Sequence, residues 1–270
     1  MIQPISLHTL FTDEPPPPNW LVEGVFLKGL VLVLAGEAGA GKTALSHLLA
    51  HSLALGRPFL GHRTTPTTVC YFDEENSRVD FQRYSQWIWH GLECPPIEQY
   101  GNRLNFYHFA LPRSWFDAME EVASTLKPGL IIVDTANPVL RIEKENDNDE
   151  AGRVIGQLRR LQLAAGSSET TILVLKHEKQ RDEKQHRRTM RGAKTWESAV
   201  DRTFYHVIPR GCRERKNGLR RTALVPDKMR SYGLEVPIGI EPDWTDETRK
   251  GLIFKGIYND PRGVRESEET

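Results

Sequence analysis

The sequence has few cysteines, no long apolar run and no excess of charge of either sign. The three cysteines, Cys70, Cys94 and Cys212, are far apart and odd in number. This argues against a disulfide framework or a zinc site and favours a reducing, cytoplasmic location. Apolar runs such as "GLVLVLAG" are far shorter than the ~18 residues of a membrane span, so we expect no membrane partner. The N-terminus lacks the features of a secretory signal, and we expect none.

The charge balance also removes one simple argument for nucleic-acid binding. The 270 residues include 36 basic and 36 acidic side chains, which gives a formal net charge of +0. Any case for a nucleic-acid partner must therefore depend on local basic stretches. The length allows one large α/β domain with a sizeable core, or two small domains.

Short apolar runs alternate with amphipathic segments in the first two thirds of the chain. The strand-like runs are "GLVLVLAG", "TTVCYFD", "GLIIVDT" and "TTILVLKH". This alternation predicts an α/β fold, a doubly wound and mostly parallel sheet with helices on both faces. After about residue 202, four strand-like runs follow one another without long helices. They predict antiparallel strands added at the C-terminal edge of the sheet.

The domain boundaries follow from composition. Residues 1–20 contain "DEPPPPNW", whose prolines predict an extended, proline-rich lead-in. Residues 21–262 are interpreted as one domain, and residues 263–270 as a polar tail.

Residues 36–43, "GEAGAGKT", match the phosphate-loop pattern G-x-x-x-x-G-K-[ST] between a buried strand and a helix. Glycines let backbone N–H groups face phosphate oxygens, and the helix N-terminus adds its positive end. Lys42 is expected to reach the β- and γ-phosphates of ATP, and the Thr43 hydroxyl to bind Mg²⁺. The predicted nucleotide contacts are Gly36, Glu37, Ala38, Gly39, Ala40, Gly41, Lys42, Thr43 and Ala44.

Carboxylates follow two of the other strands. Asp134 ends "LIIVD" and is the predicted second ligand of Mg²⁺, whereas Asp73, Glu74 and Glu75 end "VCYFDEE". Strand alternation places Asp73 and Glu75 on one side and Glu74 on the other. Glu75 is the candidate that positions the attacking water. The alternative is that all three are solvated acids at a turn.

His177 ends the strand "TTILVLKH". The carboxyl ends of parallel strands line the crevice in which ligands bind, so His177 can contact a γ-phosphate there. The alternative is an ordinary histidine that faces solvent.

Together these segments resemble the RecA-like P-loop ATPases, and among them the RepA-like branch that includes hexameric replicative helicases. The resemblance covers about residues 15–235 and includes "GEAGAGKT", "TVCYFDEENS", "GLIIVDTANPVL", "ILVLKHEKQ" and "KMRSYG". It implies a RecA-like fold, ATP and Mg²⁺ as cofactors, and a homo-oligomeric ring or filament. It makes Glu75 the catalytic glutamate, Asp134 the Mg²⁺ acid and His177 the γ-phosphate sensor.

The resemblance also implies a residue that acts on a neighbour's nucleotide. Lys228 and Arg230 match a K-x-R motif with that role in related ring ATPases. Where some members place a finger arginine in the preceding strand, this chain has Asp201, with Arg202 one position further on. The trans-acting residue is therefore Arg230, Lys228 or Arg202.

The segment 176–194, here called the basic loop, carries eight Lys and Arg side chains against three Asp and Glu. By the resemblance it would face a central axis along which single-stranded DNA passes, and phosphate contacts need flexible cations. Its candidate DNA contacts are Lys184, Arg187, Arg188 and Arg191. The alternative is a solvated loop without a partner.

The sequence thus predicts an Mg²⁺-dependent ATPase that binds or translocates single-stranded DNA in replication, repair or mobile-element maintenance. The alternative is a nucleotide-gated loader or regulator with slow ATP hydrolysis. A small-molecule kinase is disfavoured because nothing between residues 136 and 175 looks like an arginine-bearing lid.

Overall fold

The computed structural model describes residues 6–109, 111–166, 169–179, 189–192, 194–209, 211–212, 214, 217–229, 234 and 236–257. The helices are α1 (Leu7–Thr12), α2 (Lys42–Leu55), α3 (Arg78–Gly91), α4 (Trp115–Leu126), α5 (Ala136–Val139), α6 (Asn148–Ala164) and α7 (Thr195–Ala199). The strands are β1 (Trp20–Val22), β2 (Phe26–Leu27), β3 (Val31–Gly36), β4 (Val69–Asp73), β5 (Leu104–His108), β6 (Leu130–Asp134), β7 (Thr171–His177), β8 (Arg202–Val207), β9 (Thr222–Met229), β10 (Ile238–Trp244) and β11 (Leu252–Ile257).

One large sheet organises the chain, with the strand order β11-β10-β9-β8-β3-β7-β6-β4-β5. The six strands from β8 to β5 run parallel, and β9, β10 and β11 continue the sheet in antiparallel fashion. Because parallel neighbours need crossover connections, the helices lie on both faces. The predicted doubly wound sheet with an antiparallel C-terminal edge is confirmed. Of the four late strands, however, the first, β8, pairs parallel with β3.

Side-chain alternation divides the core into two layers. Odd and even positions of each central strand point to opposite faces. One face packs against α4 and α6, and the other against α2, α3 and the β1–β2 hairpin. The helix α2 begins after Gly41 and ends at Gly56, both in left-handed backbone conformations that glycine adopts without strain. The buried α2 therefore lies directly behind the phosphate loop.

Three features differ from the sequence-based description. The helix α1 occupies part of the lead-in, where an extended segment was expected. Strand β5 was missed because it is an edge strand whose residues are all half-buried, which removes the apolar alternation. The β1–β2 hairpin was missed because its strands are very short. The polar tail lies outside the described residues, and the domain boundaries stay a prediction. Within the described ranges, no helix combines the length and apolar character needed to cross a membrane.

Candidate nucleotide site

The phosphate loop lies where three parallel strands end side by side. Gly36 is in register with His177 of β7 on one side and with His206 of β8 on the other. A Cβ at Gly36 would lie 2.4 Å from the His206 carbonyl oxygen, so the close approach of the strands requires glycine. Gly39 and Gly41 have φ values of 74° and 92°. The glycines thus shape the turn that leads into the α2 N-terminus.

Lys42 is the first residue of α2 and is buried. Its Nζ donates hydrogen bonds to the carbonyl oxygens of Gly36, at 2.9 Å, and Glu37, at 3.0 Å. Burial lowers the pKa of Lys42, while the nearby carboxylates, led by Asp134 and Glu75, raise it. Lys42 is therefore a buried ammonium at the mouth of the loop, with backbone carbonyls as its partners.

Asp134 ends β6 and is 1% exposed. Its Oδ2 accepts a hydrogen bond of 2.7 Å from the Tyr71 hydroxyl, whereas its buried Oδ1 has no hydrogen-bond partner among the described residues. Burial and the negative charge of Asp73 raise the pKa of Asp134 to about 7, against the lowering effect of the neighbouring Tyr71 and Thr43 hydroxyls. A buried carboxylate oxygen without a partner, next to Thr43, fits a hard cation such as Mg²⁺, which prefers oxygen ligands.

Glu75 lies one step beyond β4 and contacts residues from two other strand ends. Its Oε2 accepts a short hydrogen bond from the Thr135 hydroxyl, and its Oε1 lies 3.3 Å from His177 Nε2. The hydrogen bond with His177 is the main cause that lowers the pKa of Glu75 to about 2, with help from Thr135 and Lys42 and against the effect of burial. The two residues predicted to act on the γ-phosphate are thus brought together.

The other two acids of "DEE" have structural partners and are not solvated. Asp73 is fully buried and accepts hydrogen bonds from the backbone N–H groups of Glu75 and Asn76, which fixes the turn. The Glu74 side chain points away, forms an ion pair with Arg141 and is 4% exposed. It also accepts a hydrogen bond from the Leu111 N–H. The interpretation of the trio as solvated acids is therefore wrong for Asp73 and Glu74.

Two basic side chains near the ends of the basic loop have partners within the fold. Lys176 is buried, with its Nζ 4.6 Å from the centre of the Trp196 ring, and burial lowers its pKa to about 8. Arg191, a candidate DNA contact, forms an ion pair of 2.9 Å with Glu145. The candidates Lys184, Arg187 and Arg188 lie outside the described residues. Their role stays a prediction.

The candidates for a trans-acting residue occupy different places. Arg202 is fully buried at the start of β8, where its neighbour Asp201 forms an ion pair with Arg159. Burial leaves no Arg202 surface for a neighbouring subunit. Lys228 pairs with Thr203 of β8. Thr203 lies three residues before His206, which is level with the phosphate loop. Lys228 is therefore about 10 Å from that level, toward the N-terminal ends of the parallel strands. Arg230 lies outside the described residues.

Sequence reasoning missed several residues that contact the candidate site. They are Tyr71 and Ser46, which connect Asp134 to α2, Thr135 on Glu75, and His206 beside the loop. The signal for Tyr71 was its position two residues before Asp73, on the same strand face as Asp73. Nothing in the local sequence distinguished the others.

Comparison with known proteins places this geometry in a class. A KaiC-like protein from the hyperthermophilic archaeon Pyrococcus horikoshii has a similar structure, with a TM-score of 0.56 and 15% sequence identity over 87% of this chain and 93% of that one. Together with the phosphate loop, this similarity defines the fold as that of a RecA-like P-loop ATPase. The sequence model for the AAA domain matches residues 2–183, and the chain belongs to that family. No curated protein matches the sequence. The resemblance to the RepA-like branch stays a prediction.

Proposed function

We propose that the protein hydrolyses ATP with Mg²⁺ and couples hydrolysis to the binding or translocation of single-stranded DNA as a homo-oligomer. The observation that carries the ATPase part is that Glu75 contacts His177 at the end of the phosphate loop, with Asp134 close to Lys42 and Thr43. A Gly-rich loop alone would support only phosphate binding. A carboxylate held beside the predicted γ-phosphate position supports hydrolysis as well.

The residues divide the chemistry among them. Lys42 exchanges its two carbonyl partners for β- and γ-phosphate oxygens, where its charge opposes the charge that develops in the transition state. Asp134 and Thr43 hold Mg²⁺, which neutralises phosphate charge when it is bound. Glu75 holds the attacking water in line with the γ-phosphate. With a pKa of about 2 it is a weak proton acceptor, so it acts mainly by orienting the water.

His177 connects the state of the nucleotide to Glu75. In the structure its Nε2 is directed to Glu75 Oε1. A γ-phosphate is a stronger acceptor and can draw His177 away from the glutamate. The largest influence that lowers the pKa of Glu75 would then be removed, and the carboxylate would become a better base at the moment when substrate is present.

The oligomeric and DNA parts depend on the basic segments. Lys228 lies toward the N-terminal ends of the parallel strands, whereas the chain's own phosphate loop lies at their C-terminal ends. This distance from its own site favours a role for the K-x-R motif at a neighbouring subunit. The backbone of Arg191 is hydrogen-bonded to a residue of the site, since its N–H donates to the carbonyl oxygen of His177 at 2.9 Å. This contact gives the basic loop a physical route by which nucleotide and DNA can influence one another.

The test is ATP turnover by the full chain with and without single-stranded DNA, alongside the particle mass with and without nucleotide. We expect turnover that DNA stimulates and a mass that corresponds to an oligomer. Lys42→Ala serves as the control without hydrolysis. A monomer whose turnover ignores DNA would contradict the coupled part, and a wild-type protein without turnover would contradict the whole proposal.

One observation favours a second candidate, a nucleotide-gated loader or regulator. Both carboxylate oxygens of Glu75 are engaged, one by Thr135 and the other by His177. A glutamate restrained in this way suits slow hydrolysis that switches partner affinity. Such a protein would bind DNA differently in its ATP- and ADP-bound forms and would turn over ATP slowly whether or not DNA is added.

A further inference from the structure

Tyr71 and Asp134 lie on the same face of the sheet, directly under α2. Along β6, Leu130 and Ile132 belong to the core layer beneath α2, and Asp134 continues that row by strand alternation. Tyr71 of the adjacent β4 belongs to the same layer. The predicted Mg²⁺ acid therefore has a tyrosine, and not solvent, beside it on the helix side.

A chain of hydrogen bonds connects this pair to the phosphate-loop helix. The Tyr71 hydroxyl donates to Asp134 Oδ2 at 2.7 Å, and Ser46 Oγ lies 2.6 Å from the same hydroxyl. Ser46 Oγ also lies 2.8 Å from the carbonyl oxygen of Thr43 and can donate to it. The side chains of Ser46, Tyr71 and Asp134 are at most 1% exposed. Because the Tyr71 proton is donated to Asp134 Oδ2, the Tyr71 oxygen can only accept from Ser46. The single Ser46 hydroxyl proton is directed either to Tyr71 or to the Thr43 carbonyl oxygen.

The arrangement assigns different tasks to the two oxygens of Asp134. Oδ2 is fixed by Tyr71, whereas Oδ1 is buried without a hydrogen bond from any described residue. Partners of this kind orient metal-binding side chains in other proteins and strongly affect metal affinity. We propose that Tyr71, supported by Ser46, is a positioning residue that directs Asp134 toward the Mg²⁺ of bound Mg²⁺–ATP. The proposal builds on the magnesium role of Asp134 in the proposed function.

The competing explanation is that the Tyr71 hydroxyl is only a satisfied polar group of the core. A purely structural role predicts that its removal lowers stability and leaves metal affinity unchanged. A positioning role predicts a change in metal affinity at a fixed nucleotide affinity. The two roles are therefore separated by a measurement on the metal itself.

The test is Mn²⁺ binding by the full chain saturated with a non-hydrolysable ATP analogue, followed by electron paramagnetic resonance of the free ion. Tyr71→Phe removes one oxygen, and we expect it to weaken Mn²⁺ binding by about 10-fold or more. Its affinity for the analogue in EDTA should match wild type. Ser46→Ala should shift Mn²⁺ affinity in the same direction by a smaller factor, and it keeps the test decisive if Tyr71→Phe does not fold.

The matched control is Tyr107→Phe on the neighbouring β5, whose ring stacks on Phe72 in the opposite core layer. It removes the same atom and should leave Mn²⁺ affinity unchanged. Wild-type Mn²⁺ affinity in both Tyr71→Phe and Ser46→Ala would overturn the positioning role. Asp134→Asn separates the two proposals: if it also binds Mn²⁺ like wild type, the magnesium role itself is wrong.

Discussion

Glu74 and Glu75 are adjacent acids with opposite surroundings, and exchanging each for glutamine should separate catalysis from stability. Glu75 touches Thr135 and His177 at the phosphate end of the sheet. Glu74 is buried against Arg141 and the Leu111 N–H. Both substitutions keep side-chain size and remove one negative charge. Each therefore serves as the control for the other.

Glu75→Gln should bind ATP nearly as tightly as wild type and hydrolyse it about 10²-fold more slowly. This is the low end of a general-base contribution and corresponds to about 2.7 kcal/mol in the barrier. Because the Glu75 side chain is 41% exposed, its charge is screened by solvent. We expect the free energy of unfolding to change by no more than about 1 kcal/mol.

Glu74→Gln should show the reverse pattern. It breaks a charge-assisted contact, but Arg141 is 38% exposed and can be hydrated again. We therefore expect a loss of about 1–2 kcal/mol in the free energy of unfolding, with turnover near wild type. For a chain of this size the loss corresponds to a drop of about 2–6 °C in Tm.

The assay is ATP turnover at saturating Mg²⁺ and ATP, with thermal unfolding of the same preparations. If Glu74→Gln is inactive and Glu75→Gln is active, the assignment of the water-positioning residue is wrong. Equal loss of Tm in both variants would refute the argument that only one of the two acids is structural.

Four further outcomes are expected. Lys42→Ala should abolish turnover and weaken ATP binding without unfolding the chain; unchanged turnover would contradict the nucleotide site. Neutralising Arg187, Arg188 and Arg191 of the basic loop together should weaken single-stranded DNA binding and flatten the plot of log affinity against log salt, because fewer counterions are released. An unchanged slope would exclude this loop as the contact. Mixing Lys42→Ala subunits with Arg230→Ala subunits should restore some turnover if Arg230 acts on a neighbour, and no rescue at any ratio would count against that role. Burial lowers the pKa of His51 to about 4 and of His206 to about 3. Below pH ~6.5 the unfolded chain binds protons that the fold excludes, so stability should fall as pH drops, by about 2 kcal/mol per histidine at pH 5. The measurement is the urea midpoint of unfolding at pH 7.5 and at pH 5. His51→Gln is the control, because its midpoint should change less with pH than that of wild type. Equal wild-type midpoints at the two pH values would refute the prediction.

The sequence by itself determined the main architecture, and it predicted the centre of the candidate site. The apolar runs of β3, β4, β6 and β7 are short, rich in branched residues and separated by helices, so they predict a parallel sheet whatever the packing details. The phosphate loop could be identified because its glycines, Lys42 and Thr43 are contiguous, and a contiguous motif carries its own geometry. Alternation along β4 placed Glu75 and Glu74 on different sides, and the prediction of Glu75 as the water-positioning residue depends on it.

Only the tertiary structure decided which separate residues meet. Tyr71 contacts Asp134, 63 residues later, and His177 contacts Glu75 across 102 positions. Spacing along the chain does not encode such contacts, because they arise from strand order and register. The same holds for Arg202, whose charged side chain would suit a subunit boundary but is fully buried, and for its half-buried neighbour Asp201, which pairs with Arg159 of the same chain. The local sequence reveals the periodicity of an element and its contiguous motifs. The burial of a polar group and the identity of its partner depend on elements that come together only when the sheet is assembled.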